Sequence, residues 1–105
     1  MFFGPRVAKI SSDELRQELK GGSVMLIDVR EPSEFATGHV PGAINVPVGS
    51  LPQAAPRLDH DAEIIVICQS GHRSVRAAKW LLKAGFTNVR SVVGGTSAWR
   101  EELER

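Results

Sequence analysis

Ile64-Ile65-Val66-Ile67-Cys68-Gln69-Ser70-Gly71-His72-Arg73-Ser74 carries the fold in miniature. Four β-branched residues in a row, with no polar alternation, are the pattern of a strand buried on both faces, and such a strand belongs in the middle of a mostly parallel sheet. Directly after it the residues turn small and polar. Val75, Ala78, Leu81 and Leu82 then return at helical spacing until Gly85 stops the run. Strand, polar loop and helix in that order make one βα unit.

On either side of this unit, short apolar runs alternate with stretches of helical spacing. Val7–Ile10 predicts a strand, and Ser11 with Glu14 forms the Ser-x-x-Glu pattern that satisfies free amides at a helix start. Leu15 and Leu19 share one face of that helix, which Gly21 and Gly22 end. Val24–Ile27 predicts the next strand, closing on the polar group Asp28, Arg30 and Glu31. Pro32 opens a short helix through Ala36, Gly38 closes it, and Ile44–Val46 predicts a third strand. Pro52 and Pro56 allow a helical turn or two between residues 47 and 61. Val89–Val93 predicts the last strand, Gly94-Gly95 a turn, and Thr96–Glu104 a final helix carrying Ala98, Trp99 and Leu103. The sum is an α/β fold of about five mostly parallel strands flanked by helices.

With 105 residues the chain has the size of one compact domain, expected over residues 1–105. Thirteen basic and twelve acidic residues leave a net charge of +1, so bulk charge offers nothing to nucleic acid. The longest apolar run is far shorter than the ~20 residues of a membrane helix. No apolar stretch of signal length follows Met1–Arg6, and a cytoplasmic protein is the expectation. One cysteine permits no internal disulfide and no thiolate metal cluster. His39, His60 and His72 lack the close spacing of zinc ligands, so neither metal nor cofactor is expected.

Cys68 is therefore of interest as a reactive thiol. It stands at the carboxyl end of the expected central strand, the edge where open α/β sheets bind ligands. The amides of a tight loop entering a helix converge on an anion, Gly71 allows the backbone angles such a loop needs, and Arg73 adds a positive charge. A free thiol has a pKa of about 8.5, which helix N-termini and cations lower to roughly 3.5–7.5. A two-unit shift amounts to about 2.7 kcal/mol in favour of the anion. A lone cysteine ending a strand is otherwise a small buried hydrophobe. Gln69, Ser70, Gly71, His72, Arg73 and Ser74 argue against that, because they supply donors at nearly every position.

Three blocks resemble the rhodanese domain over nearly the whole chain. They are Asp28-Val29-Arg30-Glu31 with Glu34-Phe35 and Gly38–Pro47, the loop Cys68–Ser74, and Val93-Gly94-Gly95 with Trp99. The resemblance implies a doubly wound sheet and a sulfurtransferase in which Cys68 cycles between thiol and persulfide. Thiosulfate or another persulfide would be the donor, cyanide or a thiol the acceptor, and a sulfur-relay protein a partner. It makes Cys68 and Arg73 catalytic and gives Gln69, Ser70, Gly71, His72 and Ser74 to substrate binding. Asp28, Arg30 and Glu31 would hold loops together through buried ion pairs, and His39 would lock its own loop by hydrogen bonding. Trp80 and Trp99 are expected in the core and His60 in a solvated loop.

Two other activities are weighed against this. The related cell-cycle-type phosphatases carry Cys-x5-Arg, whereas four residues separate Cys68 from Arg73, a smaller ring that suits a sulfur atom better than a phosphate. Phosphatase or arsenate reductase chemistry ranks below sulfur transfer for that reason. A non-catalytic rhodanese-like binding module is the remaining alternative. Gln69 is also a departure, since several thiosulfate-active relatives have a basic residue there.

Overall fold

A computed structural model describes residues 6–105. The expectations for the start of the chain fall on residues 1–5, outside the described residues, apart from Arg6. Nine regular elements follow in order: β1 (Ala8–Ile10), α1 (Ser12–Gly21), β2 (Val24–Asp28), α2 (Pro32–Thr37), β3 (Ile44–Asn45), α3 (Leu51–Ala54), β4 (Glu63–Ile67), α4 (His72–Lys83) and β5 (Val89–Val92). The strands form one sheet in the order β1-β5-β4-β2-β3, and every pairing between them is parallel.

β4 lies at the centre, between β2 and β5. Its side chains alternate across the sheet, yet both sides are apolar. Ile64, Val66 and Cys68 join a cluster with Leu51, Ala77 and Leu81, while Ile65 and Ile67 join Leu15, Leu26 and Val92 on the other face. Burying a side chain of this size stabilises the fold by about 1.5–3 kcal/mol, so one strand anchors two half-cores. The α1 start has the expected reciprocal cap, with Glu14 N–H donating to Ser11 Oγ and Ser11 N–H to Glu14 Oε1. Gly22 ends α1 in the left-handed conformation, at φ 72°.

Three expectations need correction. No helix spans Thr96–Glu104; a single 3-10 turn over Gly95–Ala98 gives way to an extended tail that bridges His39 through Glu104. The far end of the segment is held elsewhere, Glu104 N–H donating to His39 O at 2.8 Å and His39 N–H to Glu104 O at 2.9 Å, while Thr96 N–H to Cys68 O at 2.8 Å and Ser97 N–H to Gln69 O at 3.0 Å pin the turn to the β4 loop. Trp80 is not core, being 38% exposed on the outer side of α4, and Trp99 is half-buried beyond the turn. The segment after Pro47 is more helical than expected: 3-10 turns at Val48–Ser50 and Ala55–Arg57 flank α3. No helix among the described residues is long and apolar enough to cross a membrane.

Candidate active site

Cys68 closes the carboxyl end of β4, and the chain turns at once into α4. The turn needs Gly71, whose φ of 108° side chains rarely adopt. It brings Gly71 N–H to 3.1 Å from Cys68 Sγ and the Ser74 hydroxyl to 3.4 Å from the same sulfur. The cysteine is 1% exposed. Burial pushes its thiol pKa up, but the Ser74 hydroxyl and then the amides of Ser74, Gly71 and Ser70 outweigh that and bring it below the ordinary value. A thiolate nucleophile is what this arrangement stabilises.

Arg73 supplies the expected positive charge beside the loop, and the structure gives that charge a partner. It lies in the first turn of α4, because the helix starts at His72. Its guanidinium grips the Glu34 carboxylate from α2 with two bonds, of 2.6 and 2.9 Å. Arg73, ahead of the Glu31 amide, holds the Glu34 carboxyl down from 4.5 to about 2. The charge of Arg73 is thus largely answered by Glu34, and the sulfur depends first on neutral donors. Glu34 is a site residue that residue-level reading missed.

A second loop clamps the first from behind. Thr96 Oγ1 donates to Cys68 O, which also accepts the Thr96 amide. The approach is close enough to require glycine at position 95, where a Cβ would stand 2.3 Å from Cys68 O. Gln69 is cross-braced: its Oε1 accepts from Arg30 Nη1 at 3.2 Å, and its Nε2 donates to Ser97 Oγ at 2.9 Å. That spends both ends of its amide on holding loops. Ser70 Oγ and His72 Nδ1 are 3.2 Å apart on the exposed rim.

Beneath the rim, Asp28 and Arg30 form an ion pair that is almost fully buried, at 0% and 2% exposure. Arg30 Nε and Nη2 donate to the Asp28 carboxylate, and Nη2 also donates to Gly38 O. Asn45 Nδ2 donates to the carbonyls of Asp28 and Arg30, tying β3 to the same junction. Glu31 does not share in this. It is exposed at the start of α2, its amide donates to Glu34 Oε1, and it joins no ion pair among the described residues. His39 stacks on Phe35 with ring centroids 3.6 Å apart, and its Nδ1 lies 2.9 Å from Phe35 O. His60 sits on an exposed turn with its ring stacked on Phe86.

A cleft of about 260 Å³ flanks the loop, lined by Lys9, Ser70, Gly71, His72, Val93 and Gly94 among others. A larger groove of about 590 Å³ runs between α1 and the tail, past Leu19, Pro41 and Trp99, and includes no residue of the Cys68 loop.

The rhodanese-like domain model matches residues 11–102. The chain belongs to the rhodanese family. Thiosulfate sulfurtransferase 16 of Arabidopsis thaliana chloroplasts is 46% identical over 85 residues, covering 70% of this chain and 71% of the plant protein. YrkF of Bacillus subtilis is 35% identical over 99 residues, which are 93% of this chain but 54% of YrkF, so the chain spans about half of that relative. Among solved structures, the human single-domain sulfurtransferase TSTD1 superposes with a TM-score of 0.81 at 30% identity, covering 90% of this chain and 96% of the human one. The rhodanese fold, a parallel sheet of five strands flanked by helices, is the one described above; the plant and human relatives carry the name sulfurtransferase, and YrkF that of a putative sulfur carrier protein.

Proposed function

We propose that this rhodanese is a single-domain sulfurtransferase working through a Cys68 persulfide. The observation that supports the reading best is a buried cysteine sulfur facing an amide and a hydroxyl at the sheet edge where a strand gives way to a helix. With thiosulfate, the Cys68 thiolate attacks the outer sulfur and forms a new S–S bond. The original S–S bond breaks, its electron pair leaving with sulfite. The acceptor, a thiolate or cyanide, then attacks the outer sulfur of the persulfide, taking that atom away and returning Cys68 as the thiolate. No cofactor enters either step.

The loop donors serve both steps, because the charge stays on sulfur throughout. Arg73 holds the loop to α2 and brings positive charge to an anionic donor, with the His72 ring as a hydrogen-bonding group at the rim. Gln69 contributes rigidity more than recognition, which agrees with its neutral side chain. A small-molecule donor and a thiol acceptor, including one carried by a relay protein, are the partners this chemistry needs, with the cytoplasm as the proposed setting.

Mass spectrometry after incubation with thiosulfate and with a low-molecular-weight persulfide tests the reading. Wild type should gain the mass of one sulfur atom, lose it on addition of cyanide, and show neither change as Cys68→Ala. A chain that gains no sulfur from any donor is a binding module and not an enzyme.

A further inference from the structure

Ser91 occupies an odd position for a serine. It lies in β5, paired with Val66 of β4 on one side and Lys9 of β1 on the other, and is 1% exposed. Val66 across the ladder and Val89 two residues back on the same face are apolar core residues, and a hydroxyl buried among them costs stability unless it is bonded. One bond is present among the described residues: Ser91 Oγ lies 2.7 Å from Ser74 Oγ. Ser74 Oγ in turn is within 3.4 Å of Cys68 Sγ and 3.2 Å of Gly71 O.

Counting protons favours one direction for this chain. If Ser74 donated to Ser91, the Ser91 proton would have no acceptor among the described residues and the sulfur would lose its hydroxyl donor. If Ser91 donates to Ser74, both protons are placed, and the Ser74 proton is left to choose between Gly71 O and Cys68 Sγ. An ionised sulfur is the stronger acceptor of the two. When the sulfur is protonated, S–H donates to Ser74 Oγ, which has a second lone pair for Ser91, and the Ser74 proton turns to Gly71 O.

We propose that Ser91 is a positioning residue: its hydroxyl donates to Ser74 Oγ and so aims the Ser74 proton at the Cys68 sulfur. The consequence for catalysis rests on the sulfur-transfer reading above; the hydrogen-bond chain does not. A chain of donors also polarises each member, so the bond reaching the sulfur is stronger than Ser74 alone would make it. The titratable and charged groups near the loop are the pairs Arg73 with Glu34 and Arg30 with Asp28, together with His72 on the rim and Lys9 across the cleft. Replacing Ser91 by another neutral residue alters none of these charges, so a change in the thiol isolates the hydroxyl.

The test is the pH dependence of Cys68 alkylation by iodoacetamide in wild type, Ser91→Ala, Ser91→Thr, Ser74→Ala and the Ser74→Ala/Ser91→Ala double variant. Loss of the Ser91 hydroxyl should raise the apparent thiol pKa by about half a unit to one unit, slowing alkylation roughly three- to tenfold below that pKa. Ser91→Thr should titrate like wild type, and Ser91→Ala should add nothing to Ser74→Ala. If Ser91→Ala does not melt cooperatively, Ser91→Thr against Ser91→Val makes the same comparison at constant shape. A Ser91→Ala profile equal to wild type, or a shift that persists undiminished in the Ser74→Ala background, overturns the proposal. Failure of the sulfur-transfer reading looks different: wild type then gains no sulfur from any donor, whatever the titrations show.

Discussion

The loops after β2 and β4 leave the same edge of the sheet on neighbouring strands, and they treat charge in opposite ways. The β2 loop buries a complete ion pair, Asp28 with Arg30, and uses the guanidinium to reach Gly38 O and Gln69 as well. The β4 loop buries a sulfur whose pKa it lowers, yet surrounds it with an amide and a hydroxyl and turns its own arginine outward to Glu34. Full charge serves as structural fastening; dipoles set the nucleophile. The division has a physical reason, because a guanidinium locked against the sulfur would stabilise the thiolate too well for it to attack, whereas small donors stabilise it moderately and still leave it reactive.

The largest effect should come from the β2 side. Arg30→Met leaves Asp28 charged, buried and unpaired, at a cost of about 3–5 kcal/mol, and urea unfolding should show most of the stability gone. A variant that kept wild-type stability would mean that the pair is ornamental. Next comes Gly95→Ala, which forces a Cβ toward Cys68 O at a residue with φ 57°. Overpacking and left-handed strain together predict about 3 kcal/mol, read as a drop in melting temperature.

Effects on the thiol are smaller in stability and larger in reactivity. Ser74→Ala should raise the Cys68 pKa by about one unit, worth about 1.4 kcal/mol of thiolate stabilisation, with the fold intact by circular dichroism. Arg73→Ala should shift it less than Ser74→Ala does. A larger shift for the arginine would reverse the division between the two loops.

Smallest of all is the fold stability of the Arg73 and Glu34 pair, about 0.2–1 kcal/mol because both side chains are one-third exposed. Arg73→Ala should still cut donor turnover. Folding lowers the Glu34 pKa, so as pH falls the unfolded chain takes up the proton first. The contribution of the pair is therefore complete above 4.5 and lost as pH falls toward about 2. The stability difference between wild type and Arg73→Ala should close over that window.

Most of the architecture was legible because its signals are local. Ile64–Ile67 reads as central from its own composition, Ser11 with Glu14 reads as a helix start, and Gly71 beside Cys68 marks a tight turn. What escaped depends on distant partners. The helical pattern at Thr96–Glu104 is real, but the amide and carbonyl of Glu104 pair with His39, 65 residues back in the chain. The sequence shows that Arg73 adds a positive charge near Cys68, but not that its bidentate partner Glu34 lies 39 residues back in the chain. Ser91 is a serine in a strand, with nothing in its neighbours to say that its hydroxyl meets Ser74. Trp80 follows the helical period closely enough to read as core, yet α4 shows that side to solvent.

The claim beneath all of this is that neutral donors in the folded loop lower the pKa of Cys68. Titration of the single thiol by its ultraviolet thiolate absorbance, folded and then unfolded in urea, measures that directly. The folded protein should ionise at clearly lower pH than the unfolded chain. Coincident curves, or a folded thiol that ionises later, would contradict the account.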